Sequence, residues 1–413
     1  MHPHLAQTDS KSLLDDKSTY KKLLLNQKRN SEQDHSAMMD VATAQFVYED
    51  CKNEYWNPEE FSLLYATPLW NEASKAQRVL LNQMFWVGYY SQIISAELAT
   101  IYLNQVSAAG LYAHEDFRLV CDSLDLETKQ ERAHINAFKT IGEDVEWRLF
   151  GERLFTYPMR SLFEQTMIFA DSDPGKDFWR KLQIKAFTLL SSSNAFLASQ
   201  YLLVRGLRTL NGKQIQHKLS GYYTNHLDKD NAPIPSKISY YHFMDESFHF
   251  NTSKIIGHEI PRSLEPPTKF EKFVMNRGIA GCQKDHYNFS ATLKGIFWYE
   301  PALFPVLYKM FRSSHFGMND LEARRMLQRC FCEENEAVHQ AHELHETALE
   351  SYKVYVDGIQ YLDNQNRHMQ IMGDSTIEKY LIKNRAALRN FKAPPVILSE
   401  EPINTTDRET VHA

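Results

Sequence analysis

Cysteine is scarce in this chain of 413 residues, and its pattern excludes a disulfide framework. The five cysteines are odd in number and irregularly spaced, which is typical of reduced thiols in the cytoplasm. The Cys330-x-Cys332 motif has no second cysteine pair to complete a zinc site. We therefore expect a cytoplasmic protein without disulfides.

Three other features are missing, and each absence excludes a class of protein. There is no dense block of Lys or Arg and the formal net charge is −6, which argues against nucleic-acid binding. The polar N-terminus has no apolar segment of the kind found in signal peptides. The most apolar long segment, 186–204, is interrupted by serines, Asn194 and Gln200, so it indicates a buried helix rather than a membrane span.

Strand patterns are missing as well, and helical periodicity begins near Asp40. We predict an all-α fold, a helical bundle with additional C-terminal helices. Composition and chain breakers divide the sequence into a flexible polar arm over 1–40, the catalytic bundle over 41–260, C-terminal helices packed on it over 261–391, and a disordered tail over 392–413.

Caps and breakers also place the longest helices. One is predicted from about 71 to 105, and another from about 176 to 207, closed by an Asn-Gly pair. Residues 213–237 are then predicted to form an extended loop. In the C-terminal part, a single long helix is predicted over about 320–355.

One short stretch combines two histidines and a glutamate on a single helical face. His242, Glu246 and His249 are spaced i, i+4 and i+7, so their directions fall within about 60° of one another on an α-helix. Aromatic residues flank them. Two imidazoles and a carboxylate are costly to bury among apolar side chains without a partner, and a metal ion would offset that cost.

Helix bundles build carboxylate-bridged dimetal sites from a Glu on each of two helices and a Glu-x-x-His motif on each of two others. Residues i and i+3 share a helix face, so the carboxylate can bridge two metals while the imidazole binds one of them. This chain contains two such motifs, an extra histidine and a lone glutamate on an apolar surface. The candidate ligands are Glu97, Glu131, His134, His242, Glu246 and His249.

Over roughly residues 70–260, this order of motifs resembles the p-aminobenzoate N-oxygenase (AurF-type) family of ferritin-like di-iron oxygenases. The histidine four residues before the last Glu-x-x-His motif, His242 here, is that family's distinguishing addition. The resemblance implies a ferritin-like fold in which the six candidates bind two iron ions. Manganese is the alternative metal, because carboxylate and imidazole ligands accept either.

One ligand of that family is missing from its expected place. The helix between the two motifs should supply its own Glu, but residues 189–200 contain no acid. Glu164, on the preceding helix, is one substitute. Otherwise a small or neutral residue takes the carboxylate's place and leaves a coordination position open to water or a halide. The candidates for that place are Ser191, Ser193, Asn194 and Ala195.

With that absence the chain is similar to the CylC-type cyanobacterial dimetal-carboxylate halogenases, relatives of the AurF family. The resemblance implies O2-dependent chlorination of an unactivated aliphatic C–H, with chloride or another halide as co-substrate. It also implies a fatty-acyl substrate, with an acyl carrier protein, an external electron donor and a homodimer as further candidate partners. We expect no nucleic-acid or membrane partner. An AurF-like N-oxygenase or hydroxylase and a non-catalytic ferritin-like metal-binding protein stay as alternatives.

A second segment rich in Glu and His lies in the C-terminal half. Glu336-x-x-His339 repeats the motif spacing, and His342 and His345 follow it. Acidic and imidazole residues cover more than one face of this helix, which is typical of a solvated surface. We predict an exposed helix here, with a second metal site as the alternative.

Overall fold

The part of the chain that the computed structural model describes contains fifteen α-helices and two short 3-10 helices. No strand is present in the part of the chain that the structure describes, which confirms the predicted all-α fold. The described residues are 12–13, 15–155, 178, 182, 188–191, 195–287 and 303–396.

The helices are numbered in chain order. They are α1 Lys17–Glu32, α2 Ser36–Ala44, α3 Tyr48–Cys51, α4 Pro68–Glu72, α5 Lys75–Leu111, α6 Arg118–Phe150, α7 Ala195–Thr224, α8 Ile234–His258, α9 Lys269–His286, α10 Phe304–Arg312, α11 Asp320–Phe331, α12 Glu336–Val356, α13 Asn364–Arg367, α14 Gln370–Gly373 and α15 Ile377–Arg389. The 3-10 helices are Glu115–Phe117 and Ile260–Ser263.

Four long helices, α5 to α8, form the centre of the molecule. α5 packs along α6, α7 packs along α8, and α6 also contacts α8. A capping box starts α5, because the Ser74 hydroxyl accepts from the backbone N–H of Gln77 while the Gln77 side chain accepts from that of Ser74. α6 ends at Gly151, whose positive φ of 67° is the left-handed conformation that favours glycine.

The end predicted for the helix over 176–207 is wrong, and so is the extended loop predicted over 213–237. α7 continues to Thr224, and only residues 225–233 connect it to α8. Gly212 lies inside the helix, where a glycine costs about 1 kcal/mol relative to alanine. Burial of Ile215 and Leu219 in the main apolar core offsets that cost, which the Asn-Gly signal alone does not reveal.

The flexible arm predicted over 1–40 is wrong where the structure describes α1 and α2. Both helices pack on α6 and α8. Leu23 is fully buried, and Asn26 Nδ2 donates to the backbone oxygen of Phe248 at 3.1 Å and to Thr252 Oγ1 at 2.8 Å. The polar composition of this segment belongs to its exposed face, while its few apolar residues anchor it to the bundle.

The C-terminal part also differs in one respect. The single helix predicted over 320–355 is wrong, because the chain breaks after α11 and restarts at α12, where the Asn335 side chain accepts from the backbone N–H of Val338. The largest buried apolar cluster includes residues of α5 and α6 together with residues of α10, α11, α12 and α15. The tail beyond residue 396 lies outside the described residues.

Disulfides and membrane-spanning helices are the two features that the sequence argues against. None of the five cysteines forms a disulfide, and all five are buried. Among the described residues, none of the helices combines the length and the apolar character needed to cross a membrane.

Candidate metal centre

Seven acidic and imidazole side chains converge in two groups between α5, α6 and α8. All seven are buried, and within each group the potential ligand atoms lie within 4.8 Å of one another. The first ligand group is Glu97, His134, His242 and Glu246. The second ligand group is Glu127, Glu131 and His249. The structure thus brings together all six residues expected from the sequence and adds Glu127.

The first ligand group is assembled from three helices. His242 Nε2, on α8, lies 3.1 Å from Glu97 Oε1 of α5 and 3.6 Å from Glu246 Oε1 one turn along α8. His134 Nδ1, on α6, lies 3.5 Å from the same Glu97 oxygen. These nitrogens and oxygens therefore face a common space, as ligands of one ion would.

Two carboxylates connect the two groups. Glu131 Oε2 is 3.4 Å from His134 Nδ1, while its other oxygen is 3.6 Å from His249 Nδ1. Glu246 Oε1 is 3.6 Å from His242 Nε2 and also 3.0 Å from His249 Nδ1. Each carboxylate thus contacts a histidine of both groups, which is the arrangement of a bridging ligand.

Glu127 is a site residue that the sequence analysis missed. It lies one turn before Glu131 on α6, so the i, i+4 spacing was the available signal. It is paired with the buried guanidinium of Arg205 from α7, and Asn104 Nδ2 donates to its Oε1 at 3.3 Å. No acid occurs in the sequence of α7, which presents this arginine beside the second ligand group.

Of the residues expected to take the place of the missing carboxylate, the structure describes only two. Glu164, Ser193 and Asn194 lie outside the described residues. The Ser191 hydroxyl is buried, and Ala195 packs against an apolar cluster between α7 and its neighbours. The open coordination side therefore stays a prediction.

Without a metal ion, the negative charge of the centre favours the protonated forms of its side chains. Burial, together with repulsion from Glu246 and Glu97, raises the pKa of Glu131 to about 8. Burial alone would lower the pKa of His249, but the negative charges of Glu127 and Glu246 raise it to about 9. The carboxylates thus hold protons on the centre that a metal ion would displace.

The residues present fit a pair of divalent metal ions. The two groups contain four glutamates, whose four negative charges equal the positive charge of two such ions. The Oε2 atoms of Glu97 and Glu127 are buried and have no hydrogen-bond partner within the described residues. Buried acceptors of this kind call for a counter-charge, and carboxylate with imidazole is a donor set that iron and manganese accept.

An aromatic wall closes one side of the centre. The rings of Tyr90 and Phe138 stack with centroids 4.0 Å apart, and Phe138 meets the His242 ring at 4.9 Å. The Tyr90 hydroxyl donates to Ser239 Oγ at 2.9 Å, and Trp86 donates to the same oxygen at 3.0 Å. These aromatics are tightly packed core, so they exclude water from this side of the centre.

The second segment rich in Glu and His forms no ligand group among the described residues. His339 is half exposed and pairs with Glu334 at 2.8 Å. His345 is buried, but its Nε2 lies 3.0 Å from the backbone oxygen of Met372. His339 thus pairs with a surface acid, and His345 contacts a backbone oxygen.

The family described as acyl halogenase CylC-like matches residues 18–392, a range that includes both ligand groups and Arg205. No curated protein and no solved structure matches the chain. The predicted link to the AurF family stays a prediction. Since the match extends over most of the 413 residues, the chain belongs to the CylC-like acyl halogenase family.

Proposed function

We propose that this chain is a di-iron enzyme that uses O2 to chlorinate an unactivated aliphatic C–H of a fatty-acyl substrate. The observation that supports this most strongly is the pair of ligand groups joined by Glu131 and Glu246, in a member of an acyl halogenase family. When bound, the metal ions would supply O2 activation and the oxidising power to break such a C–H bond.

The chain's own contribution begins with geometry. Glu131 and Glu246 would set the separation of the two ions, because each carboxylate contacts histidines of both groups. The three histidines come from two helices that pack against each other, so their positions depend on rigid elements rather than loops.

Water exclusion is the second contribution. The three side chains of the wall, Tyr90, Phe138 and Trp86, are each buried, with at most 1% of their surface exposed. A dry environment strengthens the electrostatic interactions of the ligands and limits side reactions with water. Substrate would therefore approach from another side of the centre.

Charge is the third contribution, and it bears on the halide. Arg205 places a fixed positive charge beside Glu127 and the second ligand group. Bringing an anion into a buried site with four carboxylates is otherwise costly. The guanidinium lowers that cost, which favours halide use over the AurF-like N-oxygenase or hydroxylase alternative.

The nature of the substrate and of the partners is inferred from membership of an acyl halogenase family and from the resemblance seen in the sequence. We propose an acyl thioester substrate, presented by an acyl carrier protein, with an external electron donor completing the O2 chemistry.

The test is turnover by the metal-loaded protein. After anaerobic loading with iron, O2 and chloride are added with an acyl-thioester substrate, and the products are analysed by mass spectrometry. We expect a product in which one hydrogen is replaced by chlorine. His242→Ala should abolish it, whereas His339→Ala, on the exposed segment, should leave it unchanged.

The other outcomes separate the alternatives. A hydroxylated or N-oxygenated product without halogen at every chloride concentration contradicts the halogenase and supports an oxygenase. Iron uptake without turnover of any substrate supports a ferritin-like metal-binding protein.

A further inference from the structure

The outer nitrogens of two metal-centre histidines are bound by other side chains. His134 turns Nδ1 toward the ligand groups, while its Nε2 lies 3.2 Å from Asp245 Oδ2. His249 likewise turns Nδ1 inward, and its Nε2 lies 2.8 Å from Gln130 Oε1. In both cases an oxygen faces the outer nitrogen, Nε2. Because an oxygen accepts a hydrogen bond, Nε2 carries the hydrogen, and Nδ1 is left free to bind a metal.

The first of these contacts continues to the N-terminal helices. The backbone N–H of His35, the residue that precedes α2, donates to Asp245 Oδ1 at 3.1 Å, and His35 Nδ1 lies 3.0 Å from the same oxygen. The His35 ring also stacks on Tyr241, with centroids 5.8 Å apart. Asp245 is fully buried, so these contacts fix the orientation of its carboxylate toward His134.

The second contact ends on α1. Gln130 Nε2 donates to Asn30 Oδ1 at 2.8 Å, and Asn30 Nδ2 donates back to Gln130 Oε1 at 3.1 Å. Both side chains are buried. An amide can turn either its oxygen or its nitrogen toward a neighbour. In the structure the oxygen of Gln130 faces His249, and the two hydrogen bonds with Asn30 hold the Gln130 side chain in that orientation.

The third histidine offers an internal contrast. His242 turns Nε2 toward the first ligand group, and its outer nitrogen, Nδ1, has no hydrogen-bond partner among the described residues. The aromatic wall holds this ring by packing instead. Orientation by hydrogen bonding is thus a property of the two histidines that are linked to the N-terminal segment through Asp245 and Gln130.

We propose that Asn30 and His35 are positioning residues of the metal centre, which set the tautomer and orientation of His249 and His134 through Gln130 and Asp245. The inference rests on the proposed two-metal site. It assigns a role in metal binding to an N-terminal segment whose composition suggests only a loose arm. Substitution of residues in such outer positions typically lowers metal affinity by about 10- to 100-fold.

The test measures metal binding rather than turnover. Metal-free protein is titrated with cobalt(II) in competition with a chelator, and the visible absorption of bound cobalt reports the ligand geometry of each ion. We expect two ions in the wild type. Asn30→Ala should lower the affinity for one of these ions by about 10- to 100-fold and shift the absorption bands of that ion. His35→Ala should lower the affinity for the other ion by only about tenfold, because the backbone N–H of residue 35 still donates to Asp245.

Asn26→Ala is the matched control. Asn26 is on the same helix and also binds α8, but its partners are the Phe248 backbone and Thr252 rather than a histidine chain. We expect wild-type cobalt affinities and spectrum in this variant, whatever its Tm. Rescue is expected from Gln130→Glu in the Asn30→Ala background, because a carboxylate presents an oxygen to His249 in either orientation.

Three results would overturn the inference, and only the third of them would also contradict the proposed function. Wild-type affinities and spectra in both Asn30→Ala and His35→Ala would overturn it, as would an equal loss in Asn26→Ala. A wild type that binds no metal would overturn the two-metal site and this inference together. Metal binding that follows the expected pattern without chlorination would leave the inference standing and contradict only the halogenase.

Discussion

Helices α8 and α12 contain similar motifs in different surroundings. Both have a Glu-x-x-His pair with further histidines one turn away. On α8 the histidines are buried and face acids from α5 and α6. On α12, His339 is half exposed and pairs with a nearby surface acid, and His345 contacts a backbone oxygen.

The comparison shows that spacing along one helix defines half of a site at most. A ligand group needs acids from opposing helices at the same level, and it needs burial that makes unpaired charge costly. α8 has both, whereas α12 faces solvent along its acidic residues. Matched substitutions at the metal centre and on α12 should therefore differ in their effects.

Removal of one of the two carboxylates shared by the ligand groups should abolish metal binding. Glu131→Ala deletes oxygens that contact His134 and His249, so we expect both ions to be lost and activity with them. Iron per chain after loading, measured by elemental analysis, checks this. Glu336→Ala, the same change in the same motif on α12, should retain two ions. Equal loss in both variants would show that the motif on α12 is also a ligand site.

Loss of the buried arginine should cost more stability than loss of a surface charge. Arg205→Met leaves Glu127 buried without its partner, so we expect the free energy of unfolding of the metal-free protein to fall by about 3–5 kcal/mol. Lys353→Ala on α12 breaks an exposed pair with Glu350 and should cost about 0–1 kcal/mol. Denaturant unfolding measures both. A cost for Arg205→Met no larger than that for Lys353→Ala would contradict the assigned burial of this charge.

Metal affinity should rise with pH. The pKa of His249 is raised to about 9 in the metal-free protein, so below that pH a metal must displace its proton. Between pH 7 and 9 we expect the apparent affinity to increase by about tenfold per pH unit for each displaced proton, and to level off above that range. Burial lowers the pKa of His345, so a metal bound on α12 would show a flat profile there. Chelator competition across this range distinguishes the two helices.

Much of the fold was predictable from local patterns. The all-α class, α5 and the presence of a helix that contains His242 follow from local helical patterns. Two of the errors have a common cause. The Asn-Gly pair in α7 and the polar arm at α1 and α2 read locally as breaks or disorder, and burial against α8 outweighed those local preferences.

The sequence by itself determined which residue types meet at the centre. The spacing of Glu131 with His134, and of His242 with Glu246 and His249, follows from 3.6 residues per turn, and a periodic helix presents such residues together wherever it packs. Local rules therefore sufficed for six of the seven residues in the two ligand groups.

Only the tertiary structure decided what surrounds them. Glu127 joined the centre because α7 brings Arg205 against it, and Asn30 and His35 reached the histidines because α1 and α2 pack on α6 and α8. These partners are distant in sequence, and their hydrogen bonds depend on atom positions that no spacing along one helix specifies. The identity of the ligands follows from local sequence patterns, whereas their charge balance and orientation depend on how the helices pack.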